Sequence, residues 1–405
     1  MVPVRDRPAA IVLAGASALG AYQAGVLRYV VRQVARDLPT RFRFELLSGT
    51  SAGSINAVAL AALASDPVDA VEQVCRAWRA LDLRAVLRPS AIEVLAMAAD
   101  LAGVPGRLMR ALRAHGARGG LLDPRPFERI LAAAVSPSAI AANLAAGHLR
   151  GLAVSTTHVA TGRAVVFHQG VGQPRSGGGP GTMRPATIGV RHALASAAIP
   201  LLFPAVSIDD DLYCDGGLRQ MVPLSPALNL GARRVLMVNP GGGERAASGA
   251  TAAARRAASG SPLYLAGKAL NALFVDGLDG DLDRLLKINQ VIAAGTARYG
   301  AAFEADLAAD LEASGAAPLA QVDVVHLEPS VDVGLLAAQH VAAAGFASGR
   351  GAPGRALRWL ADGDPYRAGD LLAYLLFDGA FAAALIEQGE ADARGRHADL
   401  VALLA

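Results

Sequence analysis

Residues 46–57 read LLSGTSAGSINA, with Ser51 placed between Gly49 and Gly53. A GxSxG turn of this kind suits a nucleophile. The serine sits at a sharp strand-to-helix corner with its hydroxyl pointing outward, and the two glycines leave room for the neighbouring backbone and a substrate. RFRFELL, ending at Leu47, predicts a strand before the turn, and AGSINAVALAALAS predicts a helix after it. That helix would aim the positive end of its dipole at Ser51, which favours developing negative charge. No histidine occurs in the first hundred residues, so the usual proton acceptor of a nucleophilic serine is not near in sequence.

The flanking sequence predicts a parallel sheet. AAIVLA (9–14) has the length and apolarity of a buried strand, GASALG (15–20) is a tight loop, and AYQAGVLRYVVRQVARDL repeats apolar residues at helical spacing up to Pro39. Strand, loop, helix, strand, turn, helix is the alternation of an α/β fold. Further on, GLAVSTTHVA and GRAVVFHQ form a strand pair, and RVLMVNP (234–240) is another buried strand. GQPRSGGGPGTMRP (172–185) is expected as an exposed loop. A Gly- and Ala-rich stretch after Pro240 marks the best boundary, although VDVVHLEP (322–329) could return to the same sheet.

Two further segments bear on chemistry. In YCDGGLRQMVPLSPA, Asp215 follows a short apolar run and precedes Gly216 and Gly217. A carboxylate at such a strand end can accept a serine proton directly, and it can equally well cap a turn. The 15–20 loop, opening a helix, can present backbone N–H groups to an anion. It lacks the Lys-Ser/Thr of a phosphate loop, because Ala21 follows Gly20, and Ser17 breaks a GxGxxG pattern. An oxyanion hole and a plain tight turn both remain open on these residues alone.

Taken in order, LAGASALGAYQAGVL, SGTSAGSINA and ASAAIPLLFPAVSIDDDLYCDGGLRQMVPLSPAL resemble the three sequence blocks of the patatin-like phospholipases. LAGKALNALFVDGLDGDL and DLLAYLLFDGAFAAALIEQGEADA are similar to a bacterial branch of that family, so the resemblance covers most of the chain. It implies a three-layer α/β/α fold around a mostly parallel sheet, with a helical C-terminal region. It implies a lipid acyl hydrolase, a phospholipase or esterase, with Ser51 as nucleophile and Asp215 as its base in a dyad without histidine. The oxyanion hole would comprise Gly15, Ala16, Ser17 and Gly20, supported by Gly49, Gly53, Gly216 and Gly217. Neither a metal nor another cofactor is implied. The expected partner is a lipid or acyl-ester substrate, with peripheral membrane contact.

The chain departs from the family pattern in this loop, which usually has consecutive glycines and then Arg or Lys. Alanine and serine take positive φ only at a cost, and Leu19 carries no charge. One lost oxyanion donor costs a hydrolase on the order of 3 kcal/mol. The alternative expectation is therefore a patatin-fold protein that binds lipid or a partner and hydrolyses weakly or not at all. Met221 also stands where the family often has Asn two residues before a proline.

Composition bounds the other classes. The 405 residues are 53% hydrophobic and 18% charged, enough for a large core and far from a disordered composition. A net charge of +3 gives no electrostatic case for nucleic acid. Cys75 and Cys214 lie in no metal-like spacing and are expected as reduced thiols. No uncharged apolar stretch reaches membrane-spanning length, and the first apolar run passes straight into a helical pattern, so a cytoplasmic location with transient membrane contact is expected. An α/β-hydrolase with a Ser-Asp-His triad is disfavoured, because only fifty residues precede Ser51. His192 is expected as a core or surface histidine, although it could complete a triad.

The expected organisation is a catalytic domain over 8–240, a helical cap insertion over about 71–147, and a helical region over 263–405 packing on that domain. GRLMRALRAHGAR (106–118) spaces its arginines as a basic amphipathic helix. That helix could meet an anionic bilayer or simply face solvent.

Overall fold

The structure is a computed structural model of the chain. It describes residues 7–86, 135–170, 181–241, 277–316, 318–343 and 369–405, with isolated positions between them. The basic segment 106–118, most of the expected cap and residues 242–261 lie outside the described residues.

One sheet organises the chain. Strand β1 (Ala9–Leu13) lies between β2 (Leu46–Thr50) and β8 (Arg234–Val238), parallel to both. β3 (Gly151–His158) runs parallel to β2, and β9 (Asp323–Leu327) runs parallel to β8. VDVVHLEP thus returns to the same sheet. β4 (Ala164–Gly170) closes an antiparallel hairpin on β3, and β5 (Gly181–Pro185) runs parallel to β4. β6 (Val206–Ile208) and β7 (Asp211–Asp215) pair antiparallel, and β7 also pairs antiparallel with β3.

Two sequence expectations shift for reasons of pairing. β2 begins at Leu46 and not at Arg41, because Leu46 already stands opposite Ala10 near the start of β1 and earlier residues have no strand to join. Residues 181–185, expected in an exposed loop, instead extend along β4, whose outer edge supplies ladder partners.

Side-chain alternation gives the sheet two apolar faces. Ile11, Leu13, Leu47, Leu236 and Val238 share one core with α1 (Gly20–Arg32), α2 (Ala52–Ala62), α3 (Pro67–Arg79) and the C-terminal helix described below. On the other face Ala10, Val12, Leu46, Val235 and Met237 form a second core with Leu224, Ala227 and Leu285. The result is a three-layer α/β/α arrangement. Other helices are α4 (Pro137–Ala145), α5 (Val190–Ser196), α6 (Leu224–Asn229), α7 (Gly277–Tyr299), α8 (Phe303–Ala313), α9 (Val333–Ala342), α10 (Gly369–Leu375), α11 (Gly379–Gly395) and α12 (His397–Leu404).

Helix α11 lies tightly along α1, and glycines allow it. A Cβ on Gly25 would stand 2.0 Å from the Ile386 carbonyl oxygen, and one on Gly389 would stand 2.3 Å from that of Tyr22. Arg28 fastens the layer, donating to Glu72 of α3 and Glu390 of α11 at 2.7 Å each. α3 starts cleanly because Asp66 accepts from the Val68 and Asp69 N–H groups and Pro67 occupies the first helical position.

Candidate active site

Register brings Ser51 and Asp215 together. Thr50, the last residue of β2, stands opposite Ser155 of β3. β7 approaches along the same edge of β3 from the opposite direction, and its last residue, Asp215, stands opposite Thr156. The two strands therefore meet end to end, and the residue after Thr50 faces the carboxylate. Ser51 Oγ donates to Asp215 Oδ2 at 2.8 Å.

The corner at Ser51 is strained, with φ 52 and ψ −126. The flanking glycines supply space here. A Cβ on Gly49 would lie 2.5 Å from the Gly53 carbonyl oxygen, and one on Gly53 would lie 2.2 Å from that of Leu13. Hydrogen bonds pin the strand beneath the corner to the segment after Asp-Gly-Gly. Ser48 Oγ donates to the Pro223 carbonyl at 2.8 Å, and Thr50 Oγ1 donates to that of Gln220 at 2.9 Å. The Ser51 N–H donates to Ser196 Oγ at 2.8 Å, and that hydroxyl donates on to the Ser155 carbonyl at 2.6 Å.

Asp215 is fully buried. Its Oδ1 accepts from the Gly217 N–H at 2.7 Å, its own N–H donates to the Ala198 carbonyl at 2.9 Å, and its carbonyl accepts from Thr157 Oγ1 at 2.8 Å. Gly216 is required by close approach, because a Cβ there would lie 2.2 Å from the Ser155 carbonyl oxygen. Burial pushes the Asp215 carboxyl up to about 7, against the opposing pull of the hydrogen bonds from Ser51 and Gly217. A carboxylate with that affinity for a proton is matched to general-base work near neutral pH.

The 15–20 loop lies beside Ser51, and a Cβ on Gly15 would stand 2.4 Å from Met221 Sδ and 3.3 Å from Ser51 Cβ. The expected donors differ in their freedom. The Gly15 N–H is engaged by the Met221 carbonyl at 2.9 Å, and the Gly20 N–H by the Ser17 carbonyl. That leaves the amides between them, those of Ala16 and Ser17 first, together with Ala52 at the start of α2, as candidate oxyanion donors. Ser17 adopts φ 48, the left-handed conformation that its residue type disfavours, while Ala16 stays at φ −155. Gly20 serves packing, since a Cβ there would lie 2.5 Å from the Trp78 ring.

Behind the loop runs a buried polar chain. Trp78 Nε1 donates to Asn56 Oδ1 at 2.9 Å, Asn56 Nδ2 donates to Gln23 Oε1 at 2.9 Å, and Gln23 Nε2 donates to the Ala14 carbonyl at 2.7 Å. It ties α3, α2 and α1 to the end of β1, and so fixes where the loop begins.

Ser17 and Ser51 line a pocket of about 30 Å³ whose walls include Ile55, Trp78, Ala197, Phe203 and Phe377. Phe203 and Ala197 also border a cavity of about 410 Å³ that reaches Arg191 and Glu128, and Ile55 and Trp78 border one of about 90 Å³. The sequence reading gave no individual role to Ser196, Trp78, Phe203 or Phe377. Ser196 and Phe203 lie inside the ASAAIPLLFP block and Phe377 inside DLLAYLLFDGAF, and those family-like blocks were the available signal; Trp78 had none.

His192 stands apart from the dyad's hydrogen bonds. Its Nδ1 accepts from the Gly189 N–H at 3.2 Å, its ring packs edge-on against Phe167, and its Nε2 is buried without a partner. Burial lowers its pKa to about 4, so the ring is neutral at pH 7. Among the described residues no cluster of His, Cys, Asp and Glu could hold a metal ion, and no helix is long and apolar enough to cross a membrane.

A search of curated proteins finds no match. Among solved structures, VipD from Legionella pneumophila is similar over 66% of this chain at 14% identity, with a TM-score of 0.30. The aligned part spans 55% of the VipD chain. The sequence model of one family, Patatin-like phospholipase, matches residues 11–228, more than half of the chain. By that match the chain belongs to the patatin-like phospholipase family.

Proposed function

We propose that this protein cleaves fatty-acyl esters with Ser51 as nucleophile and Asp215 as general base, through an acyl-enzyme. The observation that carries the reading is the 2.8 Å hydrogen bond to Asp215 Oδ2 from the Oγ of Ser51, which lines a mostly apolar pocket. In the first half-reaction Asp215 takes the Ser51 proton as Oγ attacks the ester carbonyl. The developing oxyanion meets the amides of Ala16, Ser17 and Ala52. Collapse breaks the bond to the alcohol, which leaves with the proton from Asp215. In the second half-reaction Asp215 deprotonates a water that attacks the acyl-enzyme, and the acid departs as Ser51 regains its proton.

Support for hydrolysis over simple binding comes from the loop. Ser17 holds the left-handed conformation despite its side chain, next to a strained nucleophile corner, and strain of this kind gathers at catalytic sites. The walls beside Ser51 are mostly apolar, and the adjoining cavity of about 410 Å³ has the volume to take an acyl chain. The test compares hydrolysis of short- and medium-chain p-nitrophenyl esters, and of phospholipid vesicles, by wild type, Ser51→Ala and Asp215→Asn. Loss of activity in both variants supports the dyad. Equal, negligible rates in all three, on both substrates, sink the reading.

A further inference from the structure

Ser17 is anchored to a part of the chain 357 residues away. Its Oγ donates to the main-chain carbonyl of Tyr374 at 2.6 Å, and the residue is buried. Tyr374 lies in the last turn of α10, and three residues on, Phe377 lines the same small pocket as Ser17 and Ser51. Asp378 follows and starts α11, its Oδ1 accepting from the Ala380 and Phe381 N–H groups at 3.0 and 3.1 Å. Its Oδ1 also meets His340 Nε2 of α9 at 3.0 Å. α11 is then locked along α1 by the Gly25 and Gly389 crossings. The segment from Tyr374 to Asp378 is thus a strap held firmly at its far end, with its near end touching the loop beside the nucleophile.

A glycine would take φ 48 at less cost than serine. Serine offers the hydroxyl, and here the hydroxyl is used. We propose that Ser17 is a positioning residue: its bond to the Tyr374 carbonyl holds the loop so that the Ala16 and Ser17 amides meet the oxyanion, and the C-terminal strap is thereby a working part of the catalytic machinery. This inference rests on the hydrolase reading above.

The discriminating experiment sets Ser17→Gly and Ser17→Ala beside wild type and Ser51→Ala. Thermal unfolding is measured together with kcat, KM and the rate of inactivation by a fluorophosphonate. Both Ser17 variants lack the hydroxyl, while only the glycine relieves the backbone. Expected is a fall in kcat and in inactivation rate of ~10–100-fold in both, with KM nearly unchanged and with the glycine variant the more thermostable of the two. If activity instead follows backbone comfort, with glycine equal to or better than serine, the hydroxyl has no positioning role and the inference is overturned. An active wild type with such a glycine variant sinks this inference alone. A wild type no faster than Ser51→Ala sinks the hydrolase reading, and this inference with it.

Discussion

The Ser51 amide is held by the Ser196 hydroxyl at 2.8 Å, across 145 residues of sequence. Ser196 ends α5 and donates its own hydrogen bond to the Ser155 carbonyl of β3, so one hydroxyl joins the strained corner to the sheet. Removing it leaves a buried N–H without an acceptor, a loss of about 1–3 kcal/mol concentrated at the nucleophile. Ser196→Ala is therefore expected to lower kcat by about tenfold with a small change in KM. Steady-state kinetics on a p-nitrophenyl ester check this. A proportionate rise in KM with kcat intact would place Ser196 in substrate binding instead.

On the proposed mechanism, Asp215 sets the pH dependence. Its carboxyl, raised from 3.8 to about 7 by burial, must be ionised to accept the Ser51 proton. kcat/KM is expected to rise through about pH 7 and to level off above it, and a pH–rate profile reads this directly. His192, neutral in this range, adds no second inflection.

The same shift makes a stability prediction with a definite sign. A carboxyl whose folded pKa is raised binds its proton more tightly when folded. Its contribution is fully present below about pH 3.8 and is lost as pH rises through about 7. Asp215→Asn removes the ionisation and keeps an acceptor for the Gly217 N–H. The variant is expected to lose at least about 10³-fold in kcat while its Tm at pH 8 equals or exceeds that of wild type, with the advantage shrinking toward pH 5. Calorimetry at the two pH values tests it, and a variant clearly less stable than wild type at pH 8 would contradict it.

Phe203 stands between the nucleophile pocket and the cavity of about 410 Å³. Truncation to alanine is expected to join the two. Phe203→Ala is expected to shift the preferred p-nitrophenyl ester toward longer acyl chains, at a stability cost of about 1–3 kcal/mol for a half-buried ring. An unchanged chain-length profile would show that the larger cavity takes no acyl chain.

His192→Gln keeps an acceptor at the third position of α5 for the Gly189 N–H. Activity is expected to stay within about twofold of wild type, because the proposed dyad makes no use of the ring. A loss comparable to that of Asp215→Asn would restore a triad to consideration.

Much of this was legible in the sequence for physical reasons. Apolar runs at Ala9 and Arg234 declare buried strands, because both faces of a parallel sheet are covered. Gly49 and Gly53 flank Ser51 because the corner has no room for side chains, and Asp-Gly-Gly ends a strand for the same steric reason at Gly216. Local pattern therefore nominated both Ser51 and Asp215.

What the sequence could not reveal is how those residues meet and what holds them. The 2.8 Å contact depends on β2 and β7 abutting along one edge of β3, a matter of long-range register. Ser17 looked unfit for its loop because residue type alone predicts the cost of φ 48 and not the compensating bond to Tyr374. Propensity and motif are local, whereas desolvation, register and hydrogen bonds between distant segments exist only after the chain has packed. The sequence by itself determined the α/β layering and the glycine-flanked turn at Ser51; the tertiary structure decided the pairing of Ser51 with a buried Asp215 and the anchoring of Ser17 by the C-terminal strap.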